Sequence, residues 1–335
     1  MILLKKILRS FFNFLKNSIC EVIPAKRFFE FLIFPSSFYK YLKIISVETC
    51  SVCNLQCRYC HLNGKNRKKF LDVEIYEKLI KEISENKRYK IEVLEIPLGG
   101  EFFVHPEAKK IVEITKKYLD ENPDFKPWII LNENMMLISK ERVELILNSG
   151  VFNHIICSID GHDKQSFEYM RPGANYETVI ANTEYLIDRN NDLGHQVLIE
   201  INNGFDDTCK DIPLSNEMPS VFEKADSLRY WMPVDLNSSF ASSIPKFYPE
   251  KGFCSFVFNS VSISSGGKAI KCCMDLKEDT KFGDFKINSL SEIMMSQKRK
   301  QFLRKMFLGK RKELKGCSSC SIKYPDINNK RDIIC

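Results

Sequence analysis

From about residue 43 onward, apolar and polar positions alternate between two rhythms. Short, mostly β-branched apolar runs at 44–47, 93–98, 128–131, 154–159, 197–201 and 228–231 read as buried strands. Helical spacing fills the gaps between them. The stretch 72–83 puts Val73, Tyr76, Leu79, Ile80 and Ile83 on one face, and 106–119 begins with a proline at an N-terminal position. The stretch 139–147 opens on an N-cap serine without a capping box, because Arg142 stands where a Glu or Gln would be. Patterns at 176–189 and 217–225 complete the series. This alternation predicts an α/β fold of βαβ units on a parallel sheet, and six units make an open or partial barrel. In such folds the chemistry gathers at the carboxyl ends of the strands.

The rhythm changes near residue 235. Residues 237–249, rich in Ser, Pro and Phe, read as a connector. Residues 256–263 read as a strand, 264–267 as a turn and 268–272 as the returning strand of a hairpin. A helix is expected over 289–308, its Lys and Arg forming a solvated face. At the other end, residues 1–23 set Leu4, Ile7, Leu8, Phe11, Leu15 and Ile19 on one helical face and Lys5, Lys6, Arg9, Asn13 and Lys16 on the other. Such a helix either packs on the main domain or makes peripheral contact with an anionic membrane surface. The expected division is a helical segment at 1–42, the barrel at 43–235 and a smaller unit at 236–335.

Composition narrows the class. The chain of 335 residues is 44% hydrophobic and 28% charged, which excludes a disordered, collagen-like or disulfide-stapled protein. A net charge of +7 is too mild to argue for nucleic acid, and none is expected. Cysteine is the anomaly: there are 13, an odd number, unevenly spaced. No secretory signal and no uninterrupted apolar span are visible, so a cytoplasmic location is expected and local cysteine clusters read as metal ligands.

The first strand leads into Cys53, Cys57 and Cys60, a C-x3-C-x2-C triple on one loop. Three thiolates there would hold three irons of a cubane and leave the fourth open to substrate or cofactor, whereas electron-transfer clusters are closed by four cysteines. The alternative is a zinc site completed by His61 or Cys50. With Tyr59 before the last cysteine, the triple resembles the signature of radical S-adenosylmethionine (radical SAM) enzymes. The resemblance implies a TIM-like partial (β/α)6 barrel whose open iron chelates SAM. One electron then cleaves SAM to a 5′-deoxyadenosyl radical, which abstracts hydrogen from substrate. It also implies cofactor contacts from Gly99, Gly100 and Glu101 (a GGE motif), Asn134, Ser158 and Asp160 toward the ribose, Arg171 toward the SAM carboxylate, and the backbone of Tyr59 toward adenine. At the third strand, relatives often carry Thr-Asn-Gly. Here Glu133 and Met135 flank Asn134.

Cys254, Cys272, Cys317 and Cys320 form the second set. The hairpin brings the first two together and the C-x-x-C closes the site. The set resembles the SPASM or shorter twitch extension of radical SAM enzymes, a small α+β unit, and implies one auxiliary [4Fe-4S] cluster. The alternative is a four-cysteine zinc ribbon. Cys273 and Asp275, directly beyond, are candidates for hydrogen-atom donor and general base. The resemblance implies a reducing donor such as flavodoxin or ferredoxin, and a small-molecule or peptide substrate. The leading expectation is net oxidation of an alcohol, sugar or cyclitol. Epimerisation through Cys273, peptide modification and a non-catalytic iron–sulfur or zinc protein are the alternatives.

Overall fold

The computed structural model describes residues 41–60, 62, 68–161, 163–204, 219–231, 254, 256–318 and 320. The expected helix at 1–23 and the connector at 237–249 lie outside them. Ile44–Val47 (β1) is buried along its whole length, as a central parallel strand must be. It is followed by Val73–Glu85 (α1), whose N-cap Asp72 accepts from Glu74 N at 2.8 Å. Val93–Ile96 (β2), Ala108–Glu121 (α2), Trp128–Glu133 (β3), Lys140–Ser149 (α3) and His154–Ser158 (β4) continue the alternation. Lys164–Met170 (α4), Tyr176–Asp192 (α5), Leu198–Gly204 (β5), Val221–Lys224 (α6) and Ser227–Trp231 (β6) complete it.

Beyond β6 come Phe256–Asn259 (α7), Ser260–Ile263 (β7), Lys268–Ile270 (β8), Lys281–Asp284 (β9), Leu290–Met294 (α8) and Gln297–Phe307 (α9). The nine strands among the described residues form one sheet in the order β6-β5-β4-β3-β2-β1-β7-β8-β9. Strands β1 to β6 pair in parallel as expected of six βα units. The hairpin joins the β1 edge: β7 runs parallel to β1, with Ile44 opposite Ser260 and Val47 opposite Ile263. No helix among the described residues is long and apolar enough to cross a membrane.

Residues directly opposite across a ladder project to the same face. Ile45, Leu94 and Ile129 share one face, continued by Leu131, Ile155 and Ile199, and all are buried in the core. The other face mixes apolar residues such as Ile130 and Ile156 with polar ones. Ser262, Ser46 and Glu95 line up on it, as do Ser158, Asn202 and Arg229 two layers nearer the carboxyl ends.

Four expectations change. Residues 256–259 form a helical turn instead of the start of a strand, tied by Ser260 Oγ donating to Phe256 O at 2.8 Å. The single helix expected at 289–308 is two, because Ser296 caps the second by accepting from Arg299 N. The helix expected from 217 is described only over Val221–Lys224. Helix α4 and strand β9 were not expected at all.

Candidate active site and cluster sites

The C-x3-C-x2-C loop leaves β1 through Glu48, Thr49 and Cys50 and is stitched to its surroundings by main-chain bonds. Ser51 N donates to Lys69 O (2.9 Å) and Leu71 N to Thr49 O (2.7 Å). Farther on, Gln56 N donates to Pro172 O (3.1 Å) and Arg58 N to Met170 O (3.0 Å). Arg58 Nε donates to Tyr169 O at 2.7 Å, and its guanidinium lies over the Tyr169 ring. Helix α4 is thus the far wall of the cysteine loop. Its capping box, Asp163 with Ser166, is the sequence signal for it.

The near wall is the Gly99-Gly100-Glu101 turn. Gly100 has φ +70°, and a Cβ there would lie 2.4 Å from Cys50 O and 2.7 Å from Val52 O. Only glycine lets the two loops touch this closely. Glu101 N donates to Val52 O (2.9 Å), and the Cys50 thiol donates to Glu101 O (2.9 Å). Burial pushes that thiol up to about 11, and its proton is directed at the Glu101 carbonyl.

Cys53, Cys57 and Cys60 stand within electrostatic range of one another. Burial pushes Cys53 up to about 12 and raises Cys57 as well. Three thiols on one loop, Cys57 buried, Cys60 partly buried and Cys53 at the surface, fit an iron–sulfur cluster with one open corner. Among the described residues, no three His, Cys, Asp or Glu side chains converge as a single metal ion would need. Thr49 Oγ1, buried at the loop's start, has no hydrogen-bond partner among the described residues, as expected beside a polar ligand.

The other expected cofactor residues sort themselves by their partners. Asp160 Oδ2 accepts from Tyr59 Oη and from Arg171 Nε, each at 2.6 Å, and Oδ1 accepts from Gly204 N at 2.7 Å. Both Asp160 and Arg171 are buried. Burial alone would lower the Arg171 guanidinium, but the Asp160 charge holds it firmly protonated. Asp160 therefore pins the cysteine loop to β4 and β5. The Tyr59 ring belongs to the same knot, 5.8 Å beneath the Arg171 guanidinium. Ser158 is half-buried and donates to Asn132 Oδ1 at 3.2 Å on the mixed face.

Two groups escaped the sequence reading. Glu133 and Glu101 are both buried and face each other; burial raises both carboxyls, Glu133 far above the usual range. Glu133 replaces a small residue of the family pattern, which was the available signal. On the mixed face, Glu200 meets Arg229 Nε at 2.9 Å and His154 Nε2 at 3.5 Å. Strand register assembles these three, so no local motif announces them.

The four cysteines of the second set lie within electrostatic range of one another. Cys272 feels Cys254 and Cys317, Cys254 feels Cys320, and Cys317 feels Cys254 and Cys320. Burial pushes Cys317 up to about 12 and raises Cys254 and Cys272. Two cations oppose that rise. Arg311 Nε donates to Cys317 O (3.1 Å) and an Arg311 terminal nitrogen to Cys320 O (2.7 Å). The buried Lys271 pairs with Asp275 at 2.9 Å. Asp275 also accepts from Asp279 N and Thr280 N at 3.0 Å each, so the expected base is anchored in its own turn. Cys273, the expected hydrogen donor, is buried.

A four-thiol site on a hairpin beside a three-thiol loop at the end of β1 matches two family descriptions. The model for the radical SAM superfamily fits residues 47–211, and that for an iron–sulfur cluster-binding SPASM domain fits residues 254–321. The chain belongs to the radical SAM superfamily. Its cofactors are accordingly SAM, a SAM-binding [4Fe-4S] cluster for which Cys53, Cys57 and Cys60 are the ligands at hand, and auxiliary [4Fe-4S] chemistry for which Cys254, Cys272, Cys317 and Cys320 are at hand. A probable GTP 3′,8-cyclase of Methanococcus maripaludis is 28% identical over 138 residues, spanning 41% of this chain and 42% of that relative, less than half its length.

Radical SAM structures of the same fold include BtrN in complex with AdoMet and 2-DOIA (TM-score 0.58, 16% identity, 88% of this chain and 98% of that one). SuiB of Streptococcus suis bound to the precursor peptide SuiA aligns at TM-score 0.62 and 14% identity, over 94% of this chain and 83% of that one. Native anSMEcpe with bound AdoMet aligns at 0.59 and 17%, over 84% and 88%. At these identities the likeness concerns the fold.

Proposed function

We propose that this radical SAM enzyme catalyses net dehydrogenation of a hydroxyl-bearing small molecule, an alcohol, sugar or cyclitol. The observation that carries the reading is the auxiliary cysteine set on a hairpin laddered to β1, beside the loop that holds the first set. When bound, the groups supply a 5′-deoxyadenosyl radical for hydrogen abstraction and a one-electron acceptor. The chain's own part is to position and to exclude water. Asn132, Ser158 and Asn202 offer uncharged donors and acceptors at the carboxyl ends, and Asn202 Oδ1 has no hydrogen-bond partner among the described residues. Glu200 neutralises Arg229 below them. Such a wall suits a neutral polyol. BtrN, which shares the fold, was solved with 2-DOIA. Flavodoxin or ferredoxin is the proposed electron source.

The test is anaerobic. Reduced protein with SAM should release 5′-deoxyadenosine, and Cys57→Ala should release none. Given a panel of carbon-deuterated polyols, the true substrate should pass deuterium to 5′-deoxyadenosine and emerge two hydrogens lighter. Recovered substrate carrying solvent deuterium at carbon would replace this reading with epimerisation.

A further inference from the structure

Asn134, just beyond β3, is 4% exposed and every polar atom of its side chain is engaged. Its Oδ1 accepts from Met136 N at 2.9 Å. A backbone N–H can only donate, so this contact fixes which way the amide is turned. Nδ2 then faces Asn54 Oδ1 at 2.9 Å and Cys53 Sγ at 3.7 Å, a contact distance for the larger sulfur atom. The backbone N of Asn134 donates to Glu101 Oε1 at 3.1 Å, which locks the residue from its other side. Leu55 N reaches the same sulfur at 3.4 Å. Two amide donors therefore converge on one ligand of the SAM-binding cluster.

We propose that Asn134 is a positioning residue for that cluster: its Nδ2–H···Sγ contact orients Cys53 and raises the reduction potential. Reduction adds negative charge that spreads onto the thiolate sulfurs. An N–H dipole aimed at one of them stabilises the reduced form more than the oxidised one. The inference rests on the superfamily's cluster and is independent of the dehydrogenation proposed above.

The experiment uses the full chain, reconstituted anaerobically, in an EPR-monitored redox titration. The SAM-binding cluster is recognised by the change in its signal when SAM is added, and the auxiliary cluster serves as internal reference. Asn134→Ala and the isosteric Asn134→Asp should shift the first midpoint to more negative potential, by up to about tenfold in the reduction equilibrium, or about 59 mV for a one-electron couple. The auxiliary midpoint should stay put. Proton ENDOR in exchanged solvent should lose one exchangeable coupling. Asn54→Ala removes the amide's other acceptor but keeps the donor to sulfur, so it should leave the midpoint in place. An unchanged midpoint in Asn134→Asp at full iron content overturns the proposal. So does an equal shift in Asn54→Ala, which would make the effect one of loop shape. If Asn134→Ala fails to hold iron, the Asp variant provides the reading. Since the titration needs no turnover, a failure to form 5′-deoxyadenosine would count against the reaction alone.

Discussion

At Gly100, the missing side chain is the functional feature. With φ at +70° and two carbonyl oxygens inside van der Waals range of any Cβ, Gly100→Ala should cost about 1–3 kcal/mol in backbone strain before the overlap with Cys50 O is counted. Iron content per chain, with the melting temperature measured anaerobically, checks this; both should fall. Arg171 offers a sharper distinction. Arg171→Ala leaves the Asp160 carboxylate buried without its counter-ion, which typically costs about 3–5 kcal/mol. A residue that serves only the SAM carboxylate would lose SAM affinity with little change in melting temperature, so the two measurements together decide its role.

Glu133 carries a pH signature. Its folded pKa lies well above the ordinary 4.5 because the carboxyl is buried beside Glu101. A raised carboxyl contributes full stability below its unfolded pKa, and that contribution fades as pH rises toward the folded value. Glu133→Gln needs no proton from solvent. It should therefore gain in melting temperature relative to the parent as pH goes from 5 to 8, with little difference at the acid end. A constant offset across that range would show that the carboxyl is not held protonated.

Among the elements, strands β1 to β5 were legible because each carries a short apolar, partly β-branched run that is largely buried. The helices between them carry plain 3.6-residue stripes. What could not be read had a physical reason in each case. Phe256-Val257-Phe258-Asn259 alternates like a strand, yet Arg299 reaches Val257 O and Ser260 ties back to Phe256 O, so tertiary contacts wind it into a turn. Lys164–Met170 is too short to show a period, and only its reciprocal cap betrays it. Lys281–Asp284 has almost no apolar content and exists as a strand because β8 offers an edge. The cysteines were legible because ligand spacing is local. The Asn134–Cys53 contact and the Glu200 cluster were not, because loop approach and strand register create them. The turn after β7 yields a prediction at this scale. Ser265 donates both N and Oγ to Glu48 Oε2, at 2.7 and 2.8 Å. Ser265→Ala removes one of the two and should lower stability by about 1 kcal/mol while leaving iron content intact.

For the molecule as a whole, two cubanes imply about eight irons per chain after anaerobic reconstitution. Cys317→Ala should lower that to about four while sparing 5′-deoxyadenosine release, whereas Cys57→Ala should abolish the release. The ladder between β1 and β7 has one last implication. Ile44 through Val47 are paired residue by residue with Ser260 through Ile263. One of these strands runs on into the Cys53 loop, and the other turns back toward Cys272. The spacing between the Cys53 loop and the Cys272 turn is thus set by main-chain hydrogen bonds. An electron passing between clusters held there would cross a set distance, and its timing would come from the energy levels at the two ends.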